Sequence, residues 1–83
     1  MKETWILGIR LSDHRLAASK VQNVLTKYGC TIRTRLGLHD IVEEYVSPGG
    51  IILLELAGDI NEFMKLENEL LAIDGVTVRK MVF

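Results

Sequence analysis

The sequence lacks most of the features that mark exported, membrane-spanning or nucleic-acid-binding proteins. Cys30 is the only cysteine, which excludes an internal disulfide and leads us to expect a reduced, cytoplasmic setting. The longest apolar runs, such as residues 50–54, fall far short of the roughly 18 residues that cross a bilayer. Ten basic and eleven acidic residues leave a net charge of -1, with no overall attraction to phosphate backbones or anionic lipid. We therefore expect no direct nucleic-acid partner and no membrane partner.

Apolar residues, by contrast, are plentiful. They make up 48% of an 83-residue chain, enough for one hydrophobic core and too little chain for a second domain. The sequence predicts a single domain over residues 1–83.

The first half of the chain alternates between strand and helix patterns. Residues 4–11 have the period-two alternation of a strand, and a helix is predicted from an Asp13 cap to a left-handed stop at Gly29. A second strand follows, with Ile32, Thr34, Leu36 and Leu38 on one face and Arg33, Arg35, Gly37 and His39 on the other.

The second half repeats this order after a connection over residues 40–50, in which Ile41, Val42 and Tyr45 predict a single helical turn. Residues 51–57 form a short apolar strand, whose Ile52, Leu54 and Leu56 are expected to face the helices. A second helix is predicted from Asp59, paired with Glu62 as in a capping box, to Gly75. Residues 76–83 form the last strand, with Val76, Val78 and Val82 on one face.

The cap and stop residues of the two helices are related by one constant offset. Asp59 and Gly75 follow Asp13 and Gly29 by the same number of positions. Two equal βαβ units predict an α+β, ferredoxin-like βαββαβ sandwich, with an antiparallel four-stranded sheet and both helices on one face. Cys30 corresponds to Val76 at this offset, which predicts a buried core thiol.

The sheet face without helices carries apolar residues. Ile51 and Leu53 are predicted there, together with Ile6 and Gly8 of the first strand. Contiguous apolar surface on a small domain is typical of an interaction site, so we predict a homo-oligomer, either a dimer or a tetramer. Partial cover of this face by the loop over residues 40–48 is the alternative.

Catalytic chemistry has little support. Ser12, Asp13 and His14 are consecutive, and side chains of neighbours on a turn diverge, so they do not form a nucleophile and base pair. We expect that the protein is not an enzyme and has no cofactor.

A transition-metal site is an alternative. His39, Asp40, Glu43 and Glu44 offer nitrogen and oxygen ligands within one loop. Charged residues of a loop are more often simply solvated.

Arg33 and Arg35 indicate a possible anion site. They project from one side of the second strand beside Gly37, where a ligand could approach the backbone closely. A solvated edge strand that its charges protect from aggregation explains the same pattern.

Several short motifs together carry a family resemblance. They are Gly8-Ile9, Asp13-His14-Arg15, residues 21–25, Tyr28-Gly29, Ile32, Arg35-Leu36-Gly37, residues 50–56 and residues 73–76. The chain resembles the small stand-alone iron-only hydrogenase system regulators, which are similar to the ACT-like C-terminal domain of nickel-responsive regulators. The resemblance implies an ACT-like fold and a role in transcriptional regulation.

The nickel ligands of those regulators have no counterparts at the matching positions. Histidines on the second strand are replaced by Arg35 and Gly37, and a cysteine at the start of the third by Gly50. Nickel-responsive regulators also contact DNA through a separate domain, for which this chain has no room, so regulation would have to be indirect.

Two functional hypotheses follow. The first is a non-enzymatic regulatory module that oligomerises and binds a small anionic effector between subunits near Ser12, Asp13, Arg35 and Gly37. The alternative is a metal-responsive regulator that binds a transition metal through His39 and nearby carboxylates.

Overall fold

The fold was determined as a computed structural model that describes residues 3–11, 15–38, 41–42, 45–46 and 50–83. In chain order its elements are β1 (Trp5–Leu11), α1 (Arg15–Lys27), β2 (Ile32–Leu38), β3 (Ile41–Val42), β4 (Tyr45–Val46), β5 (Ile51–Leu56), α2 (Ile60–Leu71) and β6 (Val76–Val82). Neither helix is long and apolar enough to cross a membrane, among the residues so described.

Four of the strands form one antiparallel sheet in the order β2-β5-β1-β6. The two βαβ units interleave so that β1 and β5, one from each unit, are central. This arrangement confirms the predicted α+β, ferredoxin-like βαββαβ fold.

One side of this sheet packs on the helices and forms the core. The core-facing residues include Trp5, Leu7 and Ile9 of β1, Ile52, Leu54 and Leu56 of β5, Ala17, Val21 and Leu25 of α1, and Phe63, Leu66 and Leu70 of α2. The burial of alternate β5 residues confirms the predicted orientation of that strand. Period-two strands and helices with one apolar stripe bury these faces against each other, which is the main source of stability.

Lys80 occupies a core-facing position of β6 without burying its charge. It pairs in register with Leu7, and its Nζ lies 4.2 Å from the centre of the Trp5 ring. The same Nζ donates a hydrogen bond to Glu67 Oε1 over 3.2 Å. The aliphatic stem therefore covers the tryptophan while the ammonium group reaches a carboxylate.

The start of α2 follows the sequence prediction in part. Asp59 Oδ1 accepts a hydrogen bond from the backbone N–H of Asn61 over 2.9 Å, as an N-cap should. Glu62 pairs through its side chain with Lys65, at 3.6 Å. The helix ends at Leu71, and Gly75 lies in the following turn with a φ of +83°.

The end of α1 differs from the prediction. Gly29 is absent from the described residues with positive φ, so it does not act as a left-handed stop. The chain turns through a hydrogen bond from Thr31 N–H to the Tyr28 carbonyl, 2.9 Å long. This turn buries Thr31 and leaves Cys30 exposed, so the prediction of a buried thiol was wrong. The equal offset of the two halves does not extend to the conformation of their turns.

Strand β2 contains one extra residue. Ile32 pairs with Leu56, but Thr34 pairs with Glu55, which leaves Arg33 as the additional residue of a β-bulge. The bulge changes the phase of the alternation, so Ile32 lies on the helix side whereas Leu36, opposite Leu53, does not. The predicted single apolar face containing both residues was therefore wrong.

The connection between β2 and β5 also differs from the prediction. Ile41 pairs with Val46 and Val42 pairs with Tyr45, as an antiparallel pair of two-residue strands instead of a helical turn. Branched and aromatic residues favour extended backbone, which accounts for the difference. The predicted Asp13 cap, and most of the loop proposed to cover the sheet, lie outside the described residues.

Candidate functional site

The sheet surface turned away from the helices is the main candidate site, and we call it the open face. Its residues on the four strands are Ile6, Gly8, Arg10, Thr34, Leu36, Ile51, Leu53, Glu55, Thr77, Arg79 and Met81. They alternate with the core-facing residues, as the pleat of each strand requires. The four predicted interface residues, Ile6, Gly8, Ile51 and Leu53, are all in this set.

Apolar side chains on the open face are contiguous and accessible. Leu36 is 51% exposed, Ile51 is 37% exposed and Met81 is 55% exposed. Leu53 lies opposite Leu36 and diagonal to Ile6, and Ile6 lies opposite Met81, so the apolar residues extend diagonally from one edge of the sheet to the other. Exposed apolar surface of this continuity is characteristic of a surface that contacts a partner.

Gly8 leaves a depression in the middle of the open face. A Cβ atom there would meet only Leu53 Cδ2, at 3.7 Å, and the Arg79 carbonyl oxygen, at 3.9 Å. Glycine in a central strand weakens the strand, and it allows another group to approach the backbone closely.

Charges on the open face are few and unevenly placed. Arg10 and Arg79 lie on the β1–β6 side, while Glu55 lies on β5 and accepts a hydrogen bond from Thr34 Oγ1 over 2.9 Å. A groove of about 370 Å³ opens beside Arg10. It is lined by Arg10, Leu11, Gly75, Val76 and Thr77.

The residues predicted to bind an effector are distributed differently from the predicted interface. Arg35 and Gly37 pair with Leu54 and Ile52, so they lie on the helix side at the β2 edge of the sheet. Arg35 Nη2 donates a hydrogen bond to Gln22 Oε1 of α1 over 2.8 Å. An ion pair between Arg35 and Glu55 is excluded, because Glu55 lies on the opposite face. Ser12 and Asp13 are outside the described residues.

The predicted metal ligands, His39, Asp40, Glu43 and Glu44, are all outside the described residues. Within residues 3–11, 15–38, 41–42, 45–46 and 50–83 there is no cluster of three or more side chains able to hold a metal ion.

A polar cluster joins the two helices on the other side of the molecule. The Tyr28 hydroxyl donates to Glu69 Oε2, and Lys27 Nζ lies 3.0 Å from the same oxygen. The hydrogen bond to Glu69 raises the pKa of Tyr28 to about 12. The bonds from Tyr28 and Lys27 lower the pKa of Glu69. This cluster stabilises the contact between α1 and α2.

Sequence reasoning missed several open-face residues. Arg10 has the same strand parity as Ile6 and Gly8, and Thr77, Arg79 and Met81 alternate with the valines of the last strand. The alternation of residues along each strand was enough to place them on one face of the sheet. Their pairing across strands depends on the register, which no local pattern encodes.

The chain is similar to several solved structures. An uncharacterized protein of Thermotoga maritima matches with 28% identity and a TM-score of 0.83, over 99% of each chain. The ACT domain of the GTP pyrophosphokinase of Chlorobium tepidum matches with 18% identity and a TM-score of 0.66, over 94% of this chain and 96% of that one. A formyltetrahydrofolate deformylase of Pseudomonas putida matches with 17% identity and a TM-score of 0.55, over 94% of this chain and 28% of that one.

Comparisons by sequence gave nothing further. No protein-family model and no curated protein matches the chain. The two likenesses below 20% identity bear on the fold alone, and with the match to the Thermotoga protein they agree in architecture. The chain has an ACT-like ferredoxin fold.

Proposed function

We propose that the protein is a non-enzymatic regulatory module of the ACT type that self-associates through the open face. The observation that carries this proposal is the contiguous apolar surface on a sheet whose other side already has a complete core. The fold needs nothing from the open face, so its apolar residues are available for a partner.

The energetics of burial support self-association. Removing a large apolar side chain from water contributes about 1.5 to 3 kcal/mol, and Leu36, Ile51 and Met81 are all substantially exposed in a single chain. A second copy presents the same surface. A twofold contact would therefore bury these residues in both copies. We propose a dimer or a tetramer.

A small anionic effector is proposed to bind at the β2 edge, on the helix side. Arg35 is exposed there, and among the described residues it donates one N–H to a neutral partner, Gln22, which leaves further donors of the guanidinium to bind a carboxylate or phosphate. Gly37 lies two residues further along the same edge and carries no side chain to block approach. The proposed effector residues Ser12 and Asp13 follow directly after β1 in sequence.

The process regulated is proposed to be transcription, through a separate DNA-binding protein. The support is the resemblance of the sequence motifs to the iron-only hydrogenase system regulators. Transcript profiles of a deletion strain, complemented with the wild-type chain or with Leu53→Glu, test this step. If the wild type and Leu53→Glu restore the transcript profile equally, the open face has no role in regulation.

Sedimentation equilibrium tests the assembly. The wild type is expected to be a dimer or tetramer, and Leu53→Glu is expected to be a folded monomer because it places a charge in the contact. Met64→Glu is the matched control, since Met64 is 49% exposed on α2, away from the open face. A wild-type protein that stays monomeric at high micromolar concentration would contradict self-association.

Thermal shift with a panel of anionic metabolites tests the effector site. A ligand that raises the melting temperature of the wild type should lose its effect on Arg35→Ala. It should also bind Arg35→Lys more weakly, because lysine cannot reproduce the paired donors of a guanidinium group. A ligand that stabilises wild type and Arg35→Ala equally would rule out this site.

A further inference from the structure

We propose that a small oxyanion, carrying a carboxylate or phosphate group, binds on the open face at a cationic corner formed by Gly8, Arg10, Thr77 and Arg79. This site is separate from the effector site proposed around Arg35. That site lies at the opposite edge of the sheet, on the helix side.

The register of β1 and β6 brings these four residues into a rectangle. Arg10 pairs with Thr77 and Gly8 pairs with Arg79, so the two arginines occupy diagonal positions. Diagonal neighbours on one sheet face lie about 7–8 Å apart at their Cα atoms, within the reach of two long side chains. In the described conformation the Arg79 guanidinium reaches the Val78 carbonyl oxygen, and a change of this exposed side chain to another rotamer would bring it, with Arg10 and Thr77, over the space that Gly8 leaves.

The charge around the corner is uncompensated among the described contacts. The only carboxylate on the described strands is Glu55, which lies on β5 and is bonded to Thr34. Asp74 precedes Gly75 in the nearby turn, and no ion pair joins it to Arg10 in the part of the chain that the structure describes. Two like charges at diagonal positions repel each other, and a bound anion would remove that repulsion.

The donors at the corner are accessible. Arg10, Thr77 and Arg79 are exposed. Arg79 Nη1 donates to the Val78 carbonyl oxygen over 3.0 Å, which occupies one of the five N–H groups of the guanidinium. Charge-assisted, paired hydrogen bonds from guanidinium groups are the usual means of recognising carboxylate and phosphate.

A groove adjoins one end of the corner, at Arg10 and Thr77. The groove next to Arg10 and Thr77 has a volume of about 370 Å³, near the lower end of small-molecule sites in proteins. Leu11, Gly75 and Val76 complete its lining among the described residues and supply apolar contact, whereas Gly8 and Arg79 lie outside it. A small molecule whose anionic group binds at Arg10 and Thr77 could place a short apolar portion in this groove.

Titration of the ¹⁵N-labelled protein with inorganic phosphate, and separately with succinate, tests the proposal at constant ionic strength. Saturable shifts of the Gly8, Arg10, Thr77 and Arg79 amides are expected in at least one arm, and the comparison shows whether phosphate or carboxylate is preferred. Arg10→Gln and Arg79→Gln should each weaken binding about tenfold, the effect of losing a charge-assisted hydrogen bond.

Arg33→Gln is the matched control, because it removes the same charge from an exposed arginine of β2 and should change the affinity by less than about twofold. Gly8→Ala is a second test: its Cβ would make only ordinary contacts, so the fold should persist while binding weakens. Shifts that do not saturate with either anion, or equal weakening by Arg33→Gln, would overturn the proposal.

The same titration on the Leu53→Glu variant separates this site from self-association. Because a second copy on the open face would compete with the anion, binding to that variant is expected to be at least as tight as binding to the wild type. A different result is that neither anion binds the wild type while Arg10→Gln dissociates an assembly. The corner would then bind a carboxylate of a second copy, and the proposal of a small-molecule site would be wrong.

Discussion

The hydroxyl of Tyr28, just after α1, donates a hydrogen bond to the carboxylate of Glu69 in α2. Residues far apart in sequence are thereby joined at the surface, where Lys27 Nζ also contacts Glu69. The bond requires a protonated tyrosine and is stronger when the glutamate is ionised, so its contribution to stability depends on pH.

The pH dependence has two limits. The pKa of Glu69 is lowered by folding, so its contribution is present above its ordinary value of 4.5 and is lost as the pH falls through the folded-state value. The pKa of Tyr28 is raised from 10.0 to about 12, so its contribution is present below 10.0 and is lost as the pH rises towards 12. Tyr28→Phe should therefore lower the melting temperature between these limits and have progressively less effect outside them.

Absorbance titration of tyrosinate gives an independent measurement. The chain has two tyrosines, and Tyr28→Phe should remove the component that ionises near pH 12, whereas Tyr45→Phe should retain it. A late component that survives in Tyr28→Phe would contradict the assignment.

Two adjacent leucines of α2 should differ sharply in their contributions to stability. Leu70 is fully buried and Leu71 is 55% exposed. Leu70→Ala should lower the free energy of unfolding by about 2–5 kcal/mol, because it removes buried methyl groups and leaves a cavity. Leu71→Ala should change it by less than about 0.5 kcal/mol. Urea unfolding followed by the fluorescence of Trp5 measures both, and similar values for the two would be inconsistent with the structure.

The two glycines that follow the helices should also differ. Gly75 has a φ of +83°, so Gly75→Ala should cost about 1–2 kcal/mol of unfolding free energy through backbone strain. Gly29 lacks this conformation, and a Cβ there would lie 3.4 Å from the Thr26 carbonyl oxygen, an ordinary contact. Gly29→Ala should change stability by less than about 1 kcal/mol, and a larger loss there than at Gly75 would contradict the assigned turns.

Cys30 should react with a thiol reagent in the folded protein. Its side chain is exposed in the turn after α1, so modification by Ellman's reagent should reach one thiol per chain without denaturant. Cys30→Ser provides the blank. If Cys30 reacts only after unfolding, the thiol is buried, as the sequence predicts.

Periodicity predicted most of the fold because the core depends on it directly. The alternation of β5 and the stripe of α2 each specify which residues meet the core, and Asp59 caps its helix by a local hydrogen bond. Such features depend on residues close in sequence, so a single sequence contains the information.

The remaining features depend on pairing between distant segments. The extra residue Arg33 is defined only by its position against Glu55 and Leu56, and the exposure of Cys30 results from a turn that buries Thr31 instead. The diagonal placement of Arg10 and Arg79 likewise follows from the β1–β6 register. Local patterns do not determine these relationships, which is why part of the open face was not predicted.

The bulge at Arg33 affects how this protein can polymerise. β2 is at one edge of the four-stranded sheet, and a strand from another molecule laid against it would meet backbone N–H and C=O groups that fall out of step at the extra residue. Fibrils of the cross-β type need an uninterrupted ladder from one molecule to the next. Identical copies would also bring Arg33 and Arg35 against the same charges. Growth into open-ended fibrils from the β2 edge is therefore disfavoured, even in a chain this rich in apolar strands.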